Sequence, residues 1–414
     1  MSLHEVVVTG CGIVSPLGIG LPEFRRRMFG GDSGSVDIRG TIVAADFPVR
    51  VGCIVPREQL GQPSVLKDRS PETTPLTWRL AGIATDEALE SLPAGHAVDA
   101  IVYAAAEGTN FDLIRESFRE FDPDTFDWGG TRGETTMEVL RAIVSAHGNG
   151  YVPDARVISL NNACISSNQV IGMALQRIRA GEWRRALVGG TDARCKDDNL
   201  MNFHLLGALT TADGPPGEAS RPFSRDRSGF VRGEGAATLI LESREAAEER
   251  GAEILAVIAG YAATSDAYRL TDGRDDGKGA VQAMRVALAD AGIPAEAVSV
   301  ISAHGTATGM NDRLETKAIK ALFGEHAYRT PVTSLKSQVG HSTVAAGALE
   351  AVCCLMMLQD QRLAPTINYR EADPECDLDY VPCHARDAQV DIALSNNFGF
   401  GGQNGCVVFR RPGP

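Results

Sequence analysis

The chain has 414 residues, 43% of them hydrophobic and 22% charged, and a formal net charge of −13. These values exclude a small stapled scaffold and a disordered chain, and they argue against a nucleic-acid surface, which needs clustered Lys and Arg. Nine cysteines without a CxxC pair suit reduced thiols better than a disulfide framework or a zinc site. The N-terminus lacks a basic stretch followed by an apolar one, and no stretch reaches the length of a membrane span, so a cytoplasmic protein with no membrane or nucleic-acid partner is expected.

Residues 5–9 read as a strand, Gly10-Cys11-Gly12 as a turn out of it, and a helix then carries Phe24 to Phe29. Residues 31–75, rich in Gly, Pro and Ser, read as surface excursions, and 76–92 return to helical spacing. Residues 100–105 form a buried strand, 107–133 a polar, aromatic-bearing insertion without resolvable elements, and 136–147 a helix. Residues 157–160 are a short buried strand and 161–166 a tight turn. Val170, Ile171, Ala174, Leu175 and Ile178 then mark one face of a helix that ends at Gly181. With a strand at 186–190, this stretch makes a βαβ unit.

Residues 253–259 open a second half. Helices are expected at 279–292, 312–323 and 344–358, and strands at 298–303, 332–334, 392–395 and 406–409. His304 ends the first of these strands, while Lys336 and His341 follow the second. Leu160-Asn161-Asn162 echoes Ser395-Asn396-Asn397, which suggests a duplicated α/β protein divided into residues 1–250 and 251–414.

Cys164 falls at the strand-to-helix corner, where unpaired backbone N–H groups and the helix dipole favour thiolate over thiol and can hold an oxyanion. Residues 304–308, 336–341 and 399–402 also sit in turns flanking strands and helices, and such turns converge beyond the carboxyl ends of strands in open α/β sheets. A Cys with two His and no plausible carboxylate ligand points to thiol acyl chemistry rather than a metal centre. Either a histidine serves as general base to the thiol, or the histidines donate hydrogen bonds to a carbonyl oxygen and stabilise an enolate.

Five motifs in order carry a family resemblance. They are Asn162-Ala-Cys164-Ile-Ser-Ser-Asn168, residues 221–236 (RPFSRDRSGFVRGEGA), Ala303-His-Gly-Thr-Ala-Thr308, Lys336-Ser-Gln-Val-Gly-His341 with Ala345-Ala-Gly347, and Asn397-Phe-Gly-Phe-Gly-Gly402. Nearly end to end, the chain resembles the β-ketoacyl-acyl carrier protein synthases of the elongating, synthase II type, found in fatty acid and type II polyketide synthesis. The resemblance implies the thiolase fold, a layered αβαβα arrangement of two duplicated halves, working as a homodimer or as a heterodimer with a ketosynthase-like chain-length partner.

It also implies roles. Cys164 would take the acyl chain from the phosphopantetheine of an acyl carrier protein, with the backbone N–H groups of Cys164 and Phe400 as the oxyanion hole. His304 and His341 would hold the malonyl thioester carbonyl while CO2 leaves, and Lys336 would orient and polarise the region. Thr306 and Thr308 would bind the pantetheine arm, Phe400 would gate it, and Phe111 would help to limit chain length. Neither metal nor other cofactor is expected, since the phosphopantetheine arrives on the carrier. Lys67 and Arg69 are candidates for steering that acidic partner.

Three departures from the family stand out: Ala307 where Gly is usual, adding a methyl beside the pantetheine channel, Ser224 where Asp is usual, and the segment 107–133. With the polarity of Glu107, Asn110 and Asp112, either Glu107 turns away to solvent or a partner, or the acyl tunnel is built for short, unsaturated or oxygenated acyl chains over long saturated ones. A chain-length subunit or decarboxylase-only relative is disfavoured by Cys164 itself. A non-enzymatic scaffold that binds acyl carrier protein is disfavoured because it has no need of the whole Cys, His, His and Lys set.

Overall fold

The computed structural model describes residues 3–68, 74–105, 136–146, 151–269 and 273–413. Among the described residues, ten strands form the path of the main sheet: β1 (Val6–Ser15), β2 (Val98–Ala105), β3 (Tyr151–Leu160), β4 (Arg185–Asp192), β5 (Gly235–Ser243), β6 (Ala256–Ser265), β7 (Val300–Ser302), β8 (Val332–Thr333), β9 (Ile392–Gly399) and β10 (Gln403–Arg410). A short strand, Gly18–Ile19, adds to the edge of β1.

The hydrogen-bonded path runs β8-β7-β9-β10-β6-β1-β5-β4-β2-β3. Read outward from its middle, the first half runs 1-5-4-2-3 and the second 6-10-9-7-8, the same order displaced by five. The directions repeat as well. In each half the first, fifth and fourth strands are antiparallel neighbours, and the fourth, second and third are parallel. The halves meet where β1 and β6 pair antiparallel, Val7 opposite Val257.

Five helices matter for the site: α1 (Leu76–Leu89), α2 (Ser166–Arg179), α3 (Lys278–Ala291), α4 (Gly309–Phe323) and α5 (Ala346–Asp360). Helices α2 and α5 touch each other and strands of both halves, so they form the middle layer. Helix α1 covers the first half from outside, and α3 and α4 cover the second. The result is the αβαβα stack.

Helix α5 is buried along nearly its whole length, including Glu350. By length and composition Thr343–Asp360 qualifies as a membrane span, which the sequence reading missed, but 89% of it lies inside the protein as a core helix would. Gly347 lets α5 approach α2, because a Cβ there would overlap Asn168 Oδ1.

Two sequence expectations change. Gly10-Cys11-Gly12 is not a turn, since β1 continues through it to Ser15. The glycines are there because α1 packs onto the strand, and a Cβ at Gly12 would overlap the Ala84 carbonyl oxygen. The Asn-Asn echo is not the structural repeat either: Asn161 and Asn162 follow the third strand of one half, while Asn396 and Asn397 lie within the fourth strand of the other.

Candidate active site

The turn between β3 and α2 is built by its own side chains. Ser166 Oγ accepts the Asn162 N–H at 2.7 Å and donates to the Ala163 carbonyl at 2.6 Å, while Asn162 Nδ2 donates to Gln169 Oε1 at 3.0 Å. Ala163 is driven to φ 48°, a left-handed conformation that costs an L-residue about 1–2 kcal/mol. That strained corner presents Cys164, 9% exposed, to the interior.

The second half supplies the partners. His304 and Gly305 follow β7, and their N–H groups both donate to the buried Glu315 of α4, at 2.9 Å each. Burial pushes the Glu315 carboxyl up to about 7, against the pull of these donors. His341 follows β8 and places Nε2 at 3.1 Å from Cys164 Sγ. The two imidazoles stand nearly perpendicular, 87° apart with centroids at 5.2 Å. The sulfur and one ring nitrogen of each histidine lie within 4.8 Å of one another. The three are brought together from turns 140 and 177 residues away from Cys164 in sequence.

Lys336 is buried and paired with Glu350, whose other oxygen accepts from Asn397 Nδ2 at 2.7 Å. Burial first, and then the Lys336 ammonium, hold both histidines well below their ordinary value, so each is a neutral ring with one N–H to donate. The expectation of a helix-stabilised thiolate does not hold in the resting site. Cys164 sits two residues ahead of α2, and burial pushes its thiol up to about 11, although Lys336 and Arg232 draw it down. The resting site is a neutral thiol beside two neutral imidazoles.

The Gly399–Gly402 turn crosses directly over Cys164, since a Cβ at Gly399 would lie 3.2 Å from the Cys164 nitrogen. Phe400, 37% exposed at the rim, packs on Phe203 at 6.2 Å. Phe203 meets Phe230 at 5.3 Å, and Phe230 meets the His341 ring at 5.3 Å. An aromatic file therefore runs from the surface to the triad. Thr306 and Thr308 hydroxyls lie 3.0 Å apart, and Thr308 also caps α4 by accepting the Asn311 N–H.

Ala307 does not place its methyl in a channel. It is fully buried with φ 66°, the region where glycine is at ease, which explains why glycine would suit the position. Ser224 accepts the N–H groups of Arg370 and Glu371 at 3.2 and 3.1 Å and donates to Asp226 Oδ1 at 2.6 Å, a local bracing role away from the triad. Lys67 is exposed. Arg69, Phe111, Glu107, Asn110 and Asp112 lie outside the described residues.

The sequence reading passed over Glu315 and Glu350, and gave Asn397 a place in a motif but no role. Glu350 had a signal: a lone carboxylate inside the apolar run 344–358 must find a partner when buried. As for a metal, one sulfur and two neutral imidazoles at this spacing form a donor set of the type that soft divalent ions accept. An open cleft of about 400 Å³ lies elsewhere, beside the edge strand β3, lined by Leu160, Met173, Gln176 and Tyr261 among others, and it includes none of the triad.

A duplicated αβαβα stack with a thiol corner in one half and two histidine-bearing turns in the other defines a thiolase-fold condensing enzyme. Two family models match, the N-terminal domain of β-ketoacyl synthase over residues 3–247 and its C-terminal domain over 255–370. A 3-oxoacyl-(acyl-carrier-protein) synthase 2 of Coxiella burnetii is 33% identical over 99% of both chains. One from Synechocystis is 45% identical over an aligned stretch that spans 60% of each chain. Among solved structures, a type II polyketide ketosynthase in complex with its acyl-carrier protein superimposes with a TM-score of 0.86 at 30% identity, covering 99% of this chain and 100% of that one. The ishigamide ketosynthase/chain length factor gives 0.84 at 31%, with the same coverage. The chain belongs to the β-ketoacyl synthase family. Within it, the chain is a synthase II-type condensing acyltransferase.

Proposed function

We propose that Cys164 carries the growing acyl chain and that His304 and His341 hold the malonyl unit that extends it. The observation that carries this reading is the neutral Cys164–His341 contact at 3.1 Å, with His304 across from it. In the first step the Cys164 sulfur bonds to the acyl carbonyl carbon of acyl carrier protein. The pantetheine sulfur leaves with the thiol proton, and the N–H groups of Cys164 and Phe400 hold the oxyanion.

In the second step the malonyl C–C bond to the carboxylate breaks and CO2 departs. The electron pair left behind is held as an enolate by N–H donation from both histidines to its oxygen. The enolate carbon then attacks the acyl-Cys164 carbonyl, the S–C bond breaks, and one proton restores the thiol. Neutral histidines suit this step, because they donate without having first to lose a proton. Lys336, paired with Glu350, orients the region. Loss of CO2 drives the reaction, which calls for no metal or redox cofactor.

The partners in this reading are an acyl carrier protein, with its pantetheine arm along Thr306 and Thr308 and past Phe400, and a ketosynthase-like subunit, either a second copy or a chain-length partner. Ten-residue β3 supports the second partner: it is an edge strand of the sheet, and residues 156–160 are partly or fully exposed. Nine free thiols fit a cytoplasmic setting. The polar residues Glu107, Asn110 and Asp112 favour short or polyenoyl chains, with Phe111 limiting length.

Intact-mass analysis of the protein after incubation with a panel of acyl carrier proteins tests the reading. One acyl group should appear on wild type and none on Cys164→Ala, with palmitoyl the slowest to load. Acylation that survives Cys164→Ala would sink the assignment.

A further inference from the structure

The turn that carries His341 is held by more than the fold around it. The His341 N–H donates to the Val231 carbonyl at 2.8 Å, and the Gly233 N–H returns a bond to the His341 carbonyl at 3.0 Å. To that same carbonyl Arg232 adds Nη1 at 2.8 Å. Arg232 has no solvent exposure at all, and its other donors are also spent: Nη2 on Asp192 Oδ1 at 2.6 Å and Nε on Asn199 Oδ1 at 2.8 Å. Asp192, equally buried at the end of β4, accepts from the Thr343 hydroxyl and from Arg194 Nη2 at 3.0 Å.

One ion pair therefore grips residues 341–343 at both ends, the guanidinium on the His341 carbonyl and the carboxylate on the Thr343 hydroxyl. The turn does not hold this shape by its own preference. Gly340 turns the chain at φ 66° at no cost to a glycine, but Thr343, a β-branched residue, is held at φ 41°. A buried ion pair is poor value as a source of stability alone, since apolar residues of equal volume often serve as well. Its placement on the backbone of the residue that faces the nucleophile is what calls for an explanation.

We propose that Arg232 and Asp192 are positioning residues that lock the 341–343 turn and thereby aim His341 Nε2 at the reacting centre. The proposal rests on the ketosynthase reading. It also separates the two half-reactions: acyl loading depends on the Cys164 corner and the Gly399–Gly402 turn, which Arg232 reaches only through its charge and not by contact, whereas CO2 release depends on His341, whose backbone Arg232 holds.

The test measures both half-reactions in Arg232→Met, Arg232→Lys and the double variant Arg232→Met/Asp192→Leu, alongside wild type. In Arg232→Met, CO2 release from malonyl carrier protein should fall at least tenfold further than acyl loading of Cys164. Arg232→Lys, which can satisfy only part of the clamp, should fall between. The double variant leaves no unpaired buried charge, so a defect that persists in it belongs to the lost clamp, and restored CO2 release would overturn the proposal.

The pH profile gives a second readout that a purely structural role would not move. His341 faces Cys164, His304 and Lys336, with Arg232 behind it and Asp192 beyond. Removing the guanidinium removes a positive charge that keeps the ring neutral, so the acidic limb of CO2 release should move to higher pH in Arg232→Met and stay in place in Arg232→Lys. Loading and CO2 release falling in parallel, with an unmoved limb, would defeat the clamp. Should Arg232→Met fail to fold, the double variant and Arg232→Lys carry the same comparison. Wild-type protein that loads no acyl chain and releases no CO2 would bring down the ketosynthase reading, and the clamp with it.

Discussion

The two halves of this chain share one strand order, yet equivalent corners carry different reactive side chains. The third strand of the first half leads into the middle-layer helix α2 through Cys164, and the third strand of the second half leads into the middle-layer helix α5 through Lys336 and His341. Thiol and histidine thus occupy matching places in the repeated topology. Both corners are strained, at Ala163 in one and at Thr343 in the other. The difference lies in what each strained corner is braced by. The first is braced by its own short side chains, and the second by a buried ion pair reaching in from the other half. A shared topology brings two corners face to face; local side chains decide which chemistry each performs.

The sharpest way to break the pairing is to delete one corner and leave the other. Cys164→Ala should abolish acyl-enzyme formation and lower condensation by roughly 10⁴-fold or more, as loss of a covalent nucleophile does. Cys164→Gln should retain CO2 release from malonyl carrier protein, because that step belongs to the second half. Normal condensation by the Ala variant would show that the halves are not divided in this way.

The reciprocal deletions, His304→Ala and His341→Ala, should leave Cys164 open to acylation while CO2 release falls by about 10² to 10³, the usual cost of one oxyanion donor. Their effects should combine to less than the product. Single-turnover measurement of CO2 decides the matter, and unchanged release in both variants would return the histidines to a structural role.

A smaller effect concerns Glu315, which braces the His304 turn. Its folded value of about 7 lies above the ordinary 4.5, so its contribution to stability is complete below about pH 4.5 and is lost as pH rises through about 7. Protonated Glu and Gln are close analogues, so wild type and Glu315→Gln should match in acid. Between pH 4.5 and 8.5 the balance should move in favour of the variant by roughly 3 kcal/mol. The histidines titrate in both proteins and cancel in the difference. Denaturant midpoints that keep a constant gap across this range would refute the bracing account.

The mildest intervention is at the crossing of the two middle helices. Gly347→Ala puts a methyl where Asn168 Oδ1 already sits and should cost about 1–3 kcal/mol by overpacking, with condensation falling because α2 and the Cys164 corner shift together. Thermal denaturation and the rate of acyl loading check both parts. An unaltered loading rate would uncouple the helix crossing from the corner.

Much of this was readable in the sequence, for physical reasons that differ by element. The helices 76–89, 166–179 and 278–291 declared themselves by apolar spacing, because each keeps one wet face. The motifs at Cys164, His304, Lys336, His341 and Phe400 were visible because small or reactive residues cluster where backbone and substrate must approach. The glycines of β1 misled, since close helix packing and a tight turn leave the same mark. The resting state of Cys164 was misjudged because sequence displays the helix that would stabilise a thiolate but not the depth that penalises it. Arg232 and Asp192 stood in plain view as charged letters, but nothing in a linear pattern says that two charges 40 residues apart will be sealed together.

The antiparallel contact of β1 with β6 marks the line about which one half turns into the other. In a pair of identical, unlinked subunits related by such an axis, any change at one corner would be copied at the other, and a thiol could face only a thiol. Joined in one chain, the two corners mutate separately, and one side of the old symmetry can become the attacking group while the other becomes its host.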